Sequence, residues 1–301
     1  MTSIARAKPK NRIKRSTGSK VFDVINVVFM FVFLLVTLYP FWYVVIVSLS
    51  DGKAVLSGLV QLLPVNITLD TYKVVLRDSN IVTGFMNTVL YATTGTCVIL
   101  IMTSLCAYPL SRPVLPGKKL FMRLIVFTMF FSGGMIPTYL VINQLGMIDT
   151  IWAMIIPGAI STYNMIVMRT FFMGIPESLH ESAALDGAND LQILVRIILP
   201  LSKASVAVIT LFVAVGIWNS WFTAAIYLMN RNKWPIQLFL REVLINNSQK
   251  SLEAGVKASA ESLQILVKYA ITIVATLPIL CIYPFVQRHF VKGVKIGSIK
   301  G

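Results

Sequence analysis

Six long apolar stretches, separated by shorter polar segments, run through the chain. They cover residues 24–48, 82–108, 120–142, 150–173, 195–222 and 263–286. A helix that crosses a bilayer needs roughly 20 apolar residues. Membrane helices tolerate the proline and glycine found in several stretches, because neighbouring helices satisfy the freed backbone groups. The pattern therefore predicts an all-α integral membrane protein with six transmembrane helices, in a domain over residues 23–287.

The composition supports a chain that lies mostly in lipid. It is 56% hydrophobic and 13% charged, with a mean hydropathy of +0.76, whereas a soluble domain carries about 25% charged residues. The first apolar stretch is too long for a signal peptide and lacks a small-residue cleavage site, so we expect a retained helix. Cys97, Cys106 and Cys281 lie in apolar stretches without metal-ligand spacing. They are expected to be buried free thiols, with no metal site.

Basic residues predict the orientation in the membrane. The formal net charge is +15, and residues 1–22 form a strongly basic tail. Beside an apolar stretch, such a tail indicates a cytoplasmic flank near anionic lipid rather than a nucleic-acid partner. The loop after the second span is basic, the loop 143–149 has no basic residue, and the tail 288–301 is basic again. These signals place both termini in the cytoplasm and the loops 51–80 and 223–262 outside.

The predicted cytoplasmic loop over residues 174–194 is the most informative segment. Pro176 suits the first turn of a helix, and Glu177 and Glu181 stack at i and i+4 near its N-terminal end. Gly187 can end that helix, and the next one can be capped by Asn189 or Asp190. The physics leaves two equal interpretations: an interfacial helix that presents a small-residue, acidic face to a partner, or an ordinary helical hairpin.

The spacing in this loop resembles the EAA motif of ABC importer permeases. The matching positions are Glu181, Ser182, Ala183, Gly187, Ile197, Leu199 and Pro200, with Asp186 beside them. Ser182 is a small-for-small departure from the motif. The resemblance implies a type I ABC importer permease fold with a cytoplasmic coupling helix in a cleft of an ATPase subunit. It also implies that Glu181 meets a basic ATPase residue, that Gly187 sets the turn, and that Ala183 and Ala184 allow close docking.

The C-terminal tail carries a second resemblance. Its residues Lys292, Gly293, Gly297 and Lys300 look like the tail of the smaller permease subunit of sugar importers, which is related to the maltose transporter's G subunit. The resemblance implies that the tail reaches between the ATPase subunits. The alternative is a basic segment that ends the last membrane helix, with side chains that extend to the lipid surface.

Missing motifs narrow the function. The sequence has no GxxxxGK[ST] phosphate loop, so separate ATPase subunits would bind ATP and magnesium and this chain would hold no cofactor. Ionisable residues are nearly absent from the span centres, which weighs against an ion-coupled carrier. A membrane-embedded enzyme would need a polar catalytic cluster, and the sequence shows none. One of the two histidines, His180, lies in the coupling loop, where we expect an exposed surface position.

Neutral polar and aromatic residues in the spans are candidates for a translocation path. Aromatic faces can stack on sugar rings, and amide or hydroxyl groups can bond sugar hydroxyls. Helix–helix hydrogen bonding or anchoring at the lipid interface is the alternative for each of them. The candidates are Tyr139, Tyr163, Asn164, Trp218, Asn219 and Trp221.

Together these observations and resemblances predict a permease subunit in a bacterial cytoplasmic membrane. It would form half of the path for a carbohydrate, which we expect to be an oligosaccharide or polysaccharide. Its partners would be two ATPase subunits, a homologous but non-identical second permease, an external solute-binding protein, the sugar and membrane lipid, with no nucleic acid. A permease for amino acids or peptides is the alternative within ABC importers.

Overall fold

A computed structural model describes residues 16–250 and 258–297 of the chain, with side chains over 16–245 and 264–284. The predicted tail over 1–22 falls mostly outside these ranges, as does Lys300. Within them the chain forms two compact units, one up to Thr68 and the other from Leu69 onward. Each unit is described by itself below.

The first unit consists of a long apolar helix and a following segment that folds back on its end. The helices are α1 (Thr17–Ser48) and α2 (Gly52–Leu56). Ser16 caps α1 by accepting a hydrogen bond from the Ser19 amide. The indole of Trp42 donates to the carbonyl of Leu62 at 2.8 Å, and the Ser50 hydroxyl accepts from the Val65 amide at 3.1 Å. These bonds tie the start of the predicted 51–80 segment to the end of α1.

The secondary structure described in the second unit consists of helices joined by turns and short loops. Its helices are α3 (Asp70–Arg77), α4 (Ser79–Ser111), α5 (Lys118–Phe130), α6 (Met135–Gln144), α7 (Ile151–Ile155), α8 (Thr162–Met173), α9 (Glu177–Leu185), α10 (Asp190–Ile193), α11 (Leu199–Leu201), α12 (Lys203–Trp218), α13 (Trp221–Tyr227), α14 (Ile236–Lys250) and α15 (Ala258–Gly297). Helix α15 continues through most of the segment predicted as a C-terminal tail. The backbone of Lys292, Gly293 and Gly297 is therefore helical, while their side chains lie outside the described part.

Each predicted span coincides with one long helix or one bent pair of helices. Three helices are long and apolar enough to cross a membrane: Thr17–Ser48, Ser79–Ser111 and Gln264–Pro284. Three pairs pass the same test together, with bends of 111° between α5 and α6, 55° between α7 and α8, and 88° at the start of α12. The described residues thus hold three spans, or up to six if each bent pair is one span.

Glycine and proline explain why the predicted third, fourth and fifth spans are bent rather than straight. Gly134, at the break between α5 and α6, has a φ of +84°, a backbone conformation that glycine adopts without steric cost. A 3₁₀ turn over Ile156–Gly158 follows α7, and Pro200 lies in α11 just before the third bend. Proline and glycine are common causes of sharp helix breaks.

Helix α4 lies at the centre of the second unit, packed against α8, α12 and α14. Two of its glycines allow close approach of neighbours. A Cβ atom on Gly84 would lie 2.7 Å from a ring carbon of Phe239, and one on Gly95 would lie 2.7 Å from the Cδ1 of Ile217. Small residues at helix crossings are typical of membrane proteins, where close backbone packing drives association.

We expect Gly84→Val to destabilise the packing of α14 on α4. The added side chain would overlap Phe239 and press on the backbone amide of Ile236, 3.3 Å away. Overpacking of this kind costs about 1–3 kcal/mol. The thermal unfolding midpoint of the detergent-purified protein should fall. The matched control is Gly216→Val, because no atom lies within 4 Å of a Cβ built there. Equal midpoints for the two variants would contradict the proposed packing.

Candidate functional site

The segment that resembles an EAA loop folds as a helix, a tight turn and a second helix. Helix α9 begins after Pro176 and ends at Leu185. Gly187 has a φ of +82°, so the turn requires the left-handed conformation that glycine adopts at low cost. Asn189 and Gln192 form a reciprocal capping box, with both hydrogen bonds at 2.9 Å. The local geometry thus follows from the residues that predicted it.

Helix α9 has one face against the protein and another face outward. His180 and Ala183 are buried, at 3% and 7% exposure. The outward residues are Glu181, Ser182, Ala184, Leu185, Asp186 and Gly187. The expectation of an exposed His180 is wrong, because its position on the helix points it at the packed interior. Ala183 likewise contacts the core of this chain, which leaves Ala184 as the exposed alanine of the pair.

The buried face of α9 is held by the C-terminal end of α4. The His180 ring stacks on the Tyr108 ring, with centroids 5.9 Å apart and an interplanar angle of 20°. Glu177 forms an ion pair with Arg112 at 3.0 Å. The Tyr108 hydroxyl donates to a carboxylate oxygen of Asp190, beyond the turn, at 3.4 Å. We call these three contacts the α4–α9 bracket, since they hold both sides of the coupling loop against one helix end.

Two further cations bind the carbonyl groups at the end of α4. The Arg169 Nε donates to the carbonyl of Leu110 at 2.8 Å. The Lys118 ammonium donates to the carbonyls of Ser111 and Arg112, at 3.3 and 2.9 Å. Cations at a helix C-terminus interact favourably with its dipole and satisfy its unpaired carbonyls. The support for α9 is therefore itself fixed in place.

The surroundings of His180 favour its neutral form. Burial, and secondarily the nearby Arg112 guanidinium, lower the pKa of His180 below its usual value of 6.5, although Glu177 and Asp190 act in the opposite direction. Its Nδ1 and one terminal nitrogen of Arg112 are buried without a hydrogen-bond partner among the described residues. Protonation of the ring would therefore place a second buried cation beside Arg112.

A bent connection joins the coupling loop to the predicted fifth span. After α10 the backbone forms a π-helical turn over Leu194–Ile198, followed by α11 with Pro200. Insertions of this kind and proline both interrupt the regular helix ladder. The segment Asp190–Leu201 then meets α12 at 88°. Pro200 thus lies at the bend between the loop and the apolar helix.

The six path candidates lie in three places. Tyr139 stacks on Tyr227, with centroids 6.2 Å apart. Tyr163 is 60% exposed, and it adjoins Asn164 in the first turn of α8. The remaining three, Trp218, Asn219 and Trp221, surround the turn between α12 and α13. Among the described residues, no hydrogen bond or ring contact joins these three places.

The polar atom of Trp218 is already bonded within the protein. Its indole donates to the carbonyl of Ala275 at 2.9 Å, and its ring meets Phe85 edge-on at 5.9 Å. Asn219 and Trp221 are more accessible. Asn219 accepts a hydrogen bond from Gln237 at 3.5 Å, and the Arg241 guanidinium lies over the Trp221 ring, 3.5 Å from its centroid. A role in a sugar path remains a prediction for all six candidates.

The loop between α13 and α14 is held by contacts that the sequence did not predict. Lys233 forms a 2.6 Å ion pair with Asp149, whose other carboxylate oxygen accepts from the amides of Met229 and Asn230. The hydrogen bond from Lys233 is the main cause of a lowered pKa for Asp149. On the α4 side, Asn87 donates to the carbonyl of Asn232 at 2.7 Å. The isolated acid in an otherwise uncharged 143–149 loop was the available signal.

Acidification should destabilise the protein through His180. Because its pKa is lower in the folded state than in the unfolded chain, stability is greatest above pH 6.5 and falls as the pH drops below that value. We expect the thermal midpoint to fall less in His180→Phe than in the unaltered protein, between about pH 7.5 and pH 5.5. The control is His289→Phe, which removes the other histidine. An identical fall in all three proteins would contradict the assignment.

Comparisons with known proteins show what the whole chain is similar to. No family model matches the chain. The polygalacturonan/rhamnogalacturonan transport system permease protein YtcP of Bacillus subtilis (strain 168) is 42% identical over 94% of this chain and 99% of its own length. In a bacterial ABC transporter involved in import of the acidic polysaccharide alginate, one solved chain superposes with a TM-score of 0.85. It is 37% identical, over 92% of this chain and 99% of that one.

A further solved chain shares the fold alone. It comes from an alginate ABC transporter in complex with an alginate pentasaccharide-bound periplasmic protein, and has a TM-score of 0.55 and 14% identity over 90% of this chain and 96% of that one. The first two matches are long and close enough to establish the family. The chain belongs to the ABC importer permeases, in the branch whose named members transport carbohydrates.

Proposed function

We propose that this chain forms half of the translocation path of an ATP-driven importer for an oligosaccharide or polysaccharide. Its partners in this proposal are two ATPase subunits, a homologous second permease and an external solute-binding protein. The names of the relatives support the substrate class, since they include a polygalacturonan permease and an alginate importer. The alginate transporter complex that contains a periplasmic protein supports the last partner.

The observation that carries the proposal is the arrangement of α9. Its buried face is fixed to α4 by the bracket, while its exposed residues include an acid, small side chains and two leucines, Leu179 and Leu185. Leu185 at its end is 89% exposed, although a leucine next to buried core would normally pack inward. A rigid helix with such a face is suited to seating in a cleft of another subunit. Glu181 would pair there with a basic residue.

The bracket also suggests how motion of α9 would reach the membrane. When ATP closes the ATPase dimer, α9 would move with the subunit that holds it. The Glu177–Arg112 ion pair and the His180–Tyr108 stack would pass that movement to α4. The turn at Gly187 and the bend at Pro200 would pass it to α12. Two apolar helices would thus receive one displacement, and the cavity would open to the other side of the membrane.

The remaining parts of the assembly follow the same scheme. We place the protein in the cytoplasmic membrane with six spans, both termini inside, and a C-terminal tail whose Lys292, Gly293, Gly297 and Lys300 contact the ATPase subunits. ATP and magnesium would bind to those subunits. The basic tail segments and the acid-free loop around Lys118 support this orientation.

Charge reversal of the proposed docking residue should prevent assembly. We expect Glu181→Lys to reduce co-purification of the ATPase subunit by about tenfold or more, because a like-charge contact at an interface costs several kcal/mol. The assay is affinity purification of the tagged permease with its co-expressed partners, followed by quantification of the ATPase. The control is Lys119→Glu, a charge reversal of the same size and opposite sign in another predicted cytoplasmic loop. Intact assembly and uptake with Glu181→Lys would refute the coupling role.

A further inference from the structure

In the predicted outer segment between α12 and α15, one arginine differs from the other described cations in its partners. The cations of this segment whose side chains are described are Arg231, Lys233 and Arg241. Arg231 forms a two-pronged ion pair with Glu242, with nitrogen–oxygen distances of 2.9 and 2.6 Å. Lys233 pairs with Asp149 at 2.6 Å. Arg241 has no carboxylate partner among the described residues, although Glu242 is adjacent in sequence.

Arg241 is nevertheless held in a defined orientation. Its guanidinium carbon lies 3.5 Å from the centroid of the Trp221 ring, so the planar group sits on the face of the indole. A guanidinium in this position keeps its N–H donors along its edges, where a carboxylate can bind to two of them at once. The ring supplies a cation–π contact that favours this position of the guanidinium. Arg241 is thus oriented, and it has no anionic partner among the residues whose side chains are described.

Two carboxamides lie beside this pair. Gln237 precedes Arg241 by one helical turn on α14, so the two side chains share a face. Its amide nitrogen donates to the Asn219 side-chain oxygen at 3.5 Å, and Asn219 precedes Trp221 by two positions. The Gln237 oxygen and the Asn219 nitrogen make no further hydrogen bond within the described part. Asn219 and Arg241 are exposed, and the other two residues are half-buried.

We propose that these four residues bind a uronic acid unit of the transported sugar. The Arg241 guanidinium would hold the carboxylate, and the amides of Asn219 and Gln237 would bond ring hydroxyls. The exposed part of the Trp221 ring would contact the apolar face of the sugar. This subsite rests on the proposed function as a carbohydrate permease and deepens it, because it assigns the substrate an acidic class.

The charge pattern favours an acidic sugar over a neutral one. Amides and an aromatic ring would suffice for hydroxyl groups, whereas a carboxylate requires a cation to balance its charge. Arg231 has its own carboxylate partner, Glu242, and it lies over Trp234 and Phe239 at 5.2 and 5.4 Å. Of the three cations with described side chains, Arg241 is the one without a described carboxylate partner. It is also the one that lies beside the two carboxamides.

The test is direct binding of trigalacturonate to the complete transporter without its binding protein. The complex would be placed in nanodiscs of phosphatidylcholine, and trigalacturonate would be compared with its methyl ester, which keeps the rings but carries no charge. We expect Arg241→Gln to weaken trigalacturonate binding by about tenfold or more, since hydrogen bonds to charged groups contribute about 1.5–3 kcal/mol. Arg241→Lys should give an intermediate loss. The ester should bind the unaltered protein as weakly as it binds Arg241→Gln.

The matched control is Lys73→Gln, which removes a cation of α3 that pairs with Asp70 at 2.8 Å and should leave the affinity unchanged. Equal affinity of the unaltered protein and Arg241→Gln would overturn the assignment, as would equal binding of the acid and the ester or no binding of either. Loss of trigalacturonate binding on adding phosphatidylglycerol would also overturn it, because a lipid headgroup would then occupy Arg241.

ATP-driven sugar uptake by the unaltered complex, measured in parallel, separates the two levels of the proposal. If the unaltered complex takes up sugar and Arg241→Gln binds trigalacturonate with unchanged affinity, the subsite is refuted and the permease function is supported. Absence of uptake and of ATPase assembly would remove the proposed function itself.

Discussion

The contact between the end of α4 and the buried face of α9 is the interaction on which the functional account depends. A nine-residue helix is too short to be stable alone in water. It is held by the Glu177–Arg112 ion pair and the His180–Tyr108 stack, and the cations around the α4 end hold that support in turn. A surface ion pair contributes little by itself. Here it acts together with a buried ring contact, so that α9 can move without separating from α4.

Packing in the membrane imposes a second constraint. Lipid gives helices no hydrophobic reason to associate, so close backbone approach and internal hydrogen bonds must do so. Gly84 and Gly95 provide that approach on α4, and Trp218 bonds a carbonyl of α15. The breaks near Gly134 and Pro200 bend two of the predicted spans, by 111° and 88°, and backbone groups freed at such breaks must be satisfied within the protein rather than by lipid.

Much of this arrangement could be predicted from the sequence because the strongest signals are local. Apolar stretches located every span or bent pair, and Pro176, Gly187 and Asn189 delimited α9. The burial of the His180 side chain could not be predicted, because it depends on which side of α9 meets Tyr108, a residue far away in the chain. The bend angles and the pairing of Arg112, Lys233 and Arg241 likewise depend on tertiary contacts. The path candidates were chosen by residue type, and type alone does not bring residues together.

The central claim is that the exposed end of α9 seats in an ATPase subunit, and site-specific photo-crosslinking tests it most directly. A benzophenone amino acid at position 185, where the leucine is 89% exposed, would be compared with the same group at position 73 on α3, in the assembled transporter. The account predicts a covalent adduct with the ATPase subunit from position 185 and none from position 73. An intact complex that gives no ATPase adduct from position 185, or equal adducts from both positions, would contradict it.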